Sequence, residues 1–264
     1  MVETDRTERR RTSPVIEVEG LEAGYNDTVV IRDVSFRVWQ GEIVAVIGKS
    51  GCGKTTVLRN MVGLEKPRAG RITIEGLDVV SAEQEELNFI RDRMGMLFQT
   101  GALLQSMTVG ENIALPMLRY GIPRETADLL VRTKLSMVEL SGSDSLYPSE
   151  LSGGMQNRAA LARAIALDPA VLLLDEPTSG LDPVTSAEID RLIRRINRST
   201  GTTAVMISQD LQSALSIADR VIVLDPDEKG IIADGDPREL KESAEDPRIV
   251  SLFNRLPADA EKGQ

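Results

Sequence analysis

Residues 42–56 limit what this chain can fold into more than any other stretch. Ile43 to Ile47 is a nearly continuous apolar run, as in a strand buried on both faces of a parallel sheet. It leads directly into Gly48-Lys49-Ser50-Gly51-Cys52-Gly53-Lys54-Thr55, which fits the pattern G-x-x-x-x-G-K-[ST], and then into the helix-like TTVLRNMVG. A strand, a glycine loop and a helix in that order make a phosphate-binding unit. The glycines let the backbone turn successive N–H groups onto phosphate oxygens, and the start of the helix adds positive potential. Lys54 is placed to reach the β and γ phosphates of a nucleoside triphosphate, and Thr55 to ligate Mg²⁺. The candidate nucleotide contacts of this segment are therefore Gly48, Ser50, Gly51, Cys52, Gly53, Lys54, Thr55 and Thr56.

The remaining pattern agrees with an α/β fold. The buried-strand signature returns at VLLLD (171–175), AVMIS (204–208) and VIVLD (221–225), while VIEVEG and VVIRDVSFRVW near the start read as half-buried strands. Between these runs, Ile189, Leu192, Ile193 and Ile196 predict a helix with Asp182 as N-cap, Pro183 at its first position and Gly201 at its end. Leu211, Ala214, Leu215 and Ala218 predict a second helix, and Ala127, Leu130, Val131, Leu135 and Val138 a third. A mostly helical stretch from about 100 to 165 is thus inserted between core strands. The charged segment after Pro237 reads as a short tail with one helical piece, LKESAEDPRIVSLFNRL.

Composition removes several function classes. With no histidine in 264 residues, the chain holds no His-ligated metal, no Ser-His-Asp relay and no imidazole switch. The single cysteine, Cys52, forms no internal disulfide. A net charge of -10 argues against a surface that coats nucleic acid, so no nucleic-acid partner is expected. No apolar run approaches the roughly 20 residues that span a bilayer. The opening MVETDRTERRRTS has charges where a signal peptide needs an apolar stretch.

Two further segments carry chemistry. VLLLDEP ends a buried strand in Asp175 and Glu176, at the strand edge where α/β sheets bind ligands. There Asp175 can hold Mg²⁺, and Glu176 can polarise the water that attacks a γ phosphate. LSGGMQNRAALARAIALDP opens a helix behind Ser152, Gly153 and Gly154, a second anion-binding helix start. With this segment the chain resembles the ATP-binding-cassette (ABC) ATPases, and the match runs from about Val15 to Asp236. The resemblance implies a P-loop (RecA-like) core with an antiparallel β subdomain and an inserted α-helical subdomain. It also implies ATP and Mg²⁺ as ligands, and a head-to-tail homodimer in which each ATP lies between one chain's phosphate loop and the other's Ser152-Gly153-Gly154 turn. It places Tyr25 under adenine, Gln99 at Mg²⁺, and Ser179 and Asp182 against the opposite subunit. Where the family carries a histidine at the γ phosphate, this chain has Gln209, which can donate a hydrogen bond but takes no proton. Glu176, Lys54 and Gln209 are the expected catalytic groups.

The 53 residues from Gln99 to Ser152 are too few for long coiled-coil arms, and no second cassette is present, which favours a transporter subunit over a soluble machine. Such a subunit docks on a separate permease through the surface around Gln99 to Pro116. FQTGALLQSMTVGENIALPM, Met155 after the glycines and DPRIVSLFNR resemble the ATPases of Mce-associated lipid transporters of the Mla type. That resemblance implies phospholipid transport between bacterial membranes, with a permease, Mce-domain lipid-binding proteins and, in some systems, a STAS-domain subunit, at the cytoplasmic face of the inner membrane. The alternatives are an ATPase of another importer or exporter, or a soluble ABC ATPase. The expected division is a flexible tail over 1–14, an ATPase domain over 15–240 and a short tail over 241–264.

Overall fold

The apolar run at 43–47 becomes the strand around which the first half of the molecule is built. A computed structural model describes residues 13–253; residues 1–12 and 254–264 of the two expected tails lie outside the described part. In order, the elements are β1 (Ile16–Tyr25), β2 (Thr28–Val38), β3 (Ile43–Gly48), α1 (Lys54–Met61), β4 (Ala69–Ile74), β5 (Leu77–Asp78), α2 (Gln84–Arg91) and β6 (Met94–Leu97). They continue with α3 (Val109–Arg119), α4 (Arg124–Met137), a 3-10 turn (Pro148–Glu150), α5 (Gly153–Ala164), β7 (Val171–Asp175) and α6 (Pro183–Thr200). The last are β8 (Thr203–Ser208), α7 (Leu211–Ile217), β9 (Arg220–Asp225), β10 (Gly230–Gly235), α8 (Pro237–Ser243) and α9 (Pro247–Phe253). The chain divides into two compact units, one of residues up to 90 and from 205 onward, the other of residues 91–204.

In the first unit the strand order is β10-β9-β3-β8. β3 and β9 run parallel, with Val46 opposite Ile222 and Gly48 opposite Leu224. Ile43 to Ile47 are at most 2% exposed, which explains why the segment is apolar throughout rather than alternating. Arg220 ties the starts of these strands together: its guanidinium donates to Glu42 at 2.7 Å and to both oxygens of Asp234 at 2.7 and 2.9 Å. A second, antiparallel sheet has the order β2-β1-β4-β5. Here Val34, Phe36 and Val38 are buried and the residues between them exposed, the alternation expected of a strand with one covered face.

The C-terminal segment differs from the single helix expected. Asp236 caps α8, the chain leaves helical geometry at Ala244, and α9 starts at Pro247, whose ring has no N–H to continue the preceding helix. Ile249 and Phe253 are buried, and Arg248 donates to Asp225 at 3.3 Å and to Glu228 at 3.2 Å, so this piece packs on the end of β9.

In the second unit, β6 and β7 pair in parallel, with Gly95 opposite Leu172 and Leu97 opposite Leu174. Helix α6 begins and ends where the sequence predicts. Asp182 accepts from the amides of Val184 and Thr185, Pro183 takes the first position, and Gly201 closes the helix at φ 74°. Its stripe of Ile189, Leu192, Ile193 and Ile196 is at most 3% exposed. Each such side chain contributes about 1.5–3 kcal/mol on burial against about 1 kcal/mol for a cap, so packing holds the helix and the cap sets its end. Helix α3 starts in a capping box, Thr108 accepting from the Glu111 amide and Glu111 from the Thr108 amide. Buried Asn112 donates to the carbonyls of Leu104, Met107 and Thr108 and accepts from the Leu104 amide, which fixes the loop ahead of the helix.

Candidate nucleotide-binding site

The phosphate loop lies in the first unit, between β3 and α1. Its glycines answer to space as well as to turning. A Cβ on Gly48 would stand 2.3 Å from the Leu224 carbonyl oxygen and 2.6 Å from Cys52 Sγ, and one on Gly53 would stand 2.2 Å from Ile31 Cγ2. Gly51, at φ 81°, has open space around it. The loop is therefore closed beneath and open at Gly51, the shape of a cradle for a small anion. Lys54 is buried, and its ammonium donates to the carbonyls of Gly48 at 2.8 Å and Lys49 at 3.2 Å, spanning the loop from inside. Lys49, Ser50 and Gly51 are exposed, Thr55 is half-buried and Thr56 is buried. Gly53 caps α1 without a side-chain hydrogen bond, and no acidic residue stands in the first turn, so the positive end of α1 is not neutralised from within.

Two more predicted residues belong to this unit. Tyr25 is 44% exposed and its hydroxyl lies 3.3 Å from Thr56 Oγ1, which sets the ring beside the start of α1. Gln209 follows β8, the neighbour of β3, in a turn whose ends are pinned: the Asp210 amide donates to Ser208 Oγ at 3.0 Å, and Asp210 accepts from the Gln212 and Ser213 amides. Its side chain is exposed at that edge of the sheet.

Cys52 is fully buried, and burial pushes its thiol pKa up while Lys54 pulls partly against it. It fills the underside of the loop, away from the open side. Reactivity follows the exposed thiolate.

The second unit gathers the other predicted residues. Helix α5 is capped by Ser152, whose hydroxyl accepts from the Met155 amide at 3.3 Å, and it too has no acidic residue in its first turn. Helix α3 differs, since Glu111 stands in its first turn. A Cβ on Gly154 would stand 2.6 Å from Thr185 Cγ2, and one on Gly153 3.6 Å from Leu181, so the turn at 152–154 packs on the start of α6. Asp175 ends β7, and Glu176 follows in left-handed geometry at φ 47°, which is strained for a residue with a Cβ. Gln99 Nε2 lies 3.4 Å from Ser179 Oγ, and the Ser179 amide donates to the Glu176 carbonyl at 3.1 Å, so Gln99, Glu176 and Ser179 form one cluster. Asp182 is engaged as a cap, and the Thr185 hydroxyl and amide hold its carboxyl below the usual range.

The structure also brings in residues that sequence reasoning did not single out. On α5, Asn157 donates to the Pro177 carbonyl at 3.1 Å, and Arg158 donates to Glu139 at 2.9 Å and to Glu188 at 2.7 Å. Near the end of the helix, Arg163 donates to the carbonyls of Gly101 and Ala102. Partners far away in the chain give such residues their roles, and no local pattern marks them. Among the described residues no cluster of three His, Cys, Asp or Glu could cage a metal. Hydroxyl, amide and carboxylate oxygens suit Mg²⁺, which is commonly held by one or two carboxylates together with substrate phosphates.

Comparison with known proteins is consistent with this geometry. The family described as ABC transporter matches residues 31–179. The chain is 42% identical over 226 residues to the methionine import ATP-binding protein MetN of Brucella abortus (strain 2308), covering 86% of this chain and 60% of that protein. It therefore spans about three fifths of the length of that relative. It is 41% identical over 240 residues to the intermembrane phospholipid transport system ATP-binding protein MlaF of Haemophilus influenzae, covering 90% of each chain. Among solved structures, a dimeric ATP-binding cassette in a post-hydrolysis state, bound to ADP and Pi, superposes with a TM-score of 0.75 at 29% identity, over 84% of this chain and 98% of that one.

The buried thiol gives a test of the cradle. N-ethylmaleimide at pH 7.5 should modify Cys52 of the folded chain at least about 100-fold more slowly than that of the urea-unfolded chain. Equal rates would mean that the loop underside is open.

Proposed function

Because the chain belongs to the ABC transporter family and carries its ATP-binding machinery, we propose that it is the ATP-hydrolysing subunit of a transporter that moves phospholipid between bacterial membranes. The observation that carries the nucleotide part is the pair of unneutralised helix starts, α1 behind the phosphate loop and α5 behind Ser152. Each attracts phosphate, and a homodimer lets one triphosphate use the first end of one chain and the second end of its partner. Lys54 and the amides of 48–56 bind the phosphates, Tyr25 stacks the base, and the Ser152-Gly153-Gly154 turn closes on the γ phosphate from the opposite chain. Thr55, Gln99 and Asp175 would hold Mg²⁺, which when bound neutralises charge on the β and γ phosphates. Glu176 accepts the proton of the attacking water, and Gln209 donates a hydrogen bond to the γ phosphate. Ser179 and Asp182 face the partner chain. Loss of γ phosphate removes the charge that joins the two chains, and the dimer opens.

Among the described residues no helix is long and apolar enough to cross a membrane. The proposed assembly places the chain at the cytoplasmic face of the inner membrane on a separate permease, seated on the surface around Gln99 to Pro116. Mce-domain proteins complete the set, joined in some systems of this type by a STAS-domain subunit. The even similarity to a phospholipid transport ATPase along 90% of both chains supports this cargo. The 42% identity to a methionine import ATPase favours a second reading, in which the same engine drives an amino-acid importer.

Purification from its own cells in mild detergent, followed by mass spectrometry, distinguishes these. A permease with an Mce-domain protein is the expected company. A permease with an extracytoplasmic amino-acid-binding protein would replace the cargo, and repeated recovery of the chain alone would remove the transporter reading.

Gln209 sets a second expectation. An amide takes no proton, so turnover rests on Glu176. Glu176→Gln should lower steady-state ATP turnover at least about 100-fold, as loss of a general base commonly does. Gln209→His should retain turnover. Native turnover no higher than that of Glu176→Gln would mean that the site binds ATP without hydrolysing it.

A further inference from the structure

Arg248, in the segment DPRIVSLFNR, stands among three carboxylates, all in the first unit. Asp246, just ahead of α9, accepts from the Arg248 amide at 2.8 Å and takes the guanidinium on both oxygens, at 3.1 and 2.7 Å. The remaining nitrogen, Nη1, donates to Asp225 at 3.3 Å and to Glu228 at 3.2 Å. The three acids differ in their need of a cation. Glu228 is 59% exposed and Asp246 half-buried, so water solvates both. The side chain of Asp225 is only 5% exposed. Its Oδ1 accepts from the amides of Asp227 at 3.0 Å and Glu228 at 3.2 Å as well as from Arg248, and the guanidinium is the charged one of these three donors.

Asp225 also has a particular place in the fold. It is the last residue of β9, next to Leu224, which stands opposite Gly48 and whose carbonyl oxygen closes the underside of the phosphate loop. Burial raises the Cys52 thiol pKa most, and the Asp225 carboxylate adds to it, so that charge is felt beneath the loop. Helix α9 meanwhile has apolar anchors of its own in buried Ile249 and Phe253. The arginine is therefore not the sole attachment of the helix, whereas the buried carboxylate depends on it.

We infer that Arg248 is a positioning residue of the nucleotide site: by compensating the buried charge of Asp225 it keeps the end of β9 beneath Gly48 and so holds the floor of the phosphate loop in the form that receives ATP. A buried carboxylate that loses its cation is costly, and it relieves the cost by moving toward water. That movement turns the end of β9 outward and draws the Leu224 carbonyl from under Gly48. The loop then loses its backing, and Cys52 its cover. The C-terminal segment thus takes part in ATP binding through Asp225. The inference rests on the reading of the loop as the ATP site for its effect on affinity, but not for its effect on the floor.

A charge-removal pair tests this on the isolated full-length chain. Arg248→Met keeps an apolar stem and loses every donor. The Kd of trinitrophenyl-ATP with Mg²⁺ should rise at least about fivefold in this variant, since a loop without its backing binds phosphate less well. N-ethylmaleimide, without nucleotide, should modify Cys52 at least about tenfold faster than in the native chain. Adding Asp225→Asn removes the charge that needs the arginine, while the remaining amide oxygen still accepts from the two backbone amides. Both readouts of the double variant should therefore return to within about twofold of native. If Arg248 were only a staple for α9, the staple would still be missing and the double variant would stay impaired. A native value of either readout in Arg248→Met overturns the inference, as does a double variant no better than the single one. If Arg248→Met does not fold, the double variant decides alone: native values support the inference, and failure to fold overturns it. A native chain that binds no trinitrophenyl-ATP would remove the nucleotide reading, while the alkylation rates still decide the floor.

Discussion

The positive ends of two helices, left without an acidic residue in their first turns, are what the functional architecture depends on. Such an end carries about half an elementary charge and, with a single exposed anion, contributes about 0.3–1 kcal/mol. One end alone would make a weak site. In the proposed dimer, Lys54 inside the loop and the backbone amides around it are joined by a second end, at Ser152 of the opposite chain, on the other side of the same phosphates. No one contact then suffices, and closure depends on the whole set being present with the γ phosphate.

Rigid strands allow the loops at their ends to hold unfavourable geometry. β3 and β7 are buried almost throughout, and each delivers its loop at its C-terminal end. Left-handed non-glycine residues occur at several turns of the chain, among them Glu176 at φ 47° just beyond β7 and Ala102 at φ 49° a few residues beyond β6. A left-handed residue with a Cβ costs about 1–3 kcal/mol and persists only where its surroundings impose it. For Ala102 the two bonds from Arg163 are part of that imposition.

Much of this was legible in the sequence because the signals were local. The run at 43–47, the glycine spacing at 48–55 and the Asp182-Pro183 start with its Gly201 stop each follow from steric and hydrogen-bonding rules that operate within a few residues, and the structure has them where the pattern predicts. Local rules also explain the one helical piece drawn over 240–256, since the apolar spacing there continues across Pro247; the ring at that position wins, and two short helices result. What stayed hidden depends on distant partners. Arg158 is an ordinary basic residue on a helix until Glu139 and Glu188 are found beside it, and Arg163 looks like any solvated arginine until its partners turn out to be carbonyls.

The central claim is that the two helix ends act on one nucleotide from different chains, and complementation tests it most directly. A chain with Lys54→Ala loses the phosphate loop but keeps the Ser152 turn. A chain with Ser152→Asp keeps a good helix cap and its own phosphate loop, but sets a negative charge against the γ phosphate. Each homodimer should be without ATP turnover, whereas a mixture of the two should regain it, because the mixed dimer holds one site in which an intact loop meets an intact turn. A mixture as inactive as its components would contradict the account and return both ends of each site to the same chain.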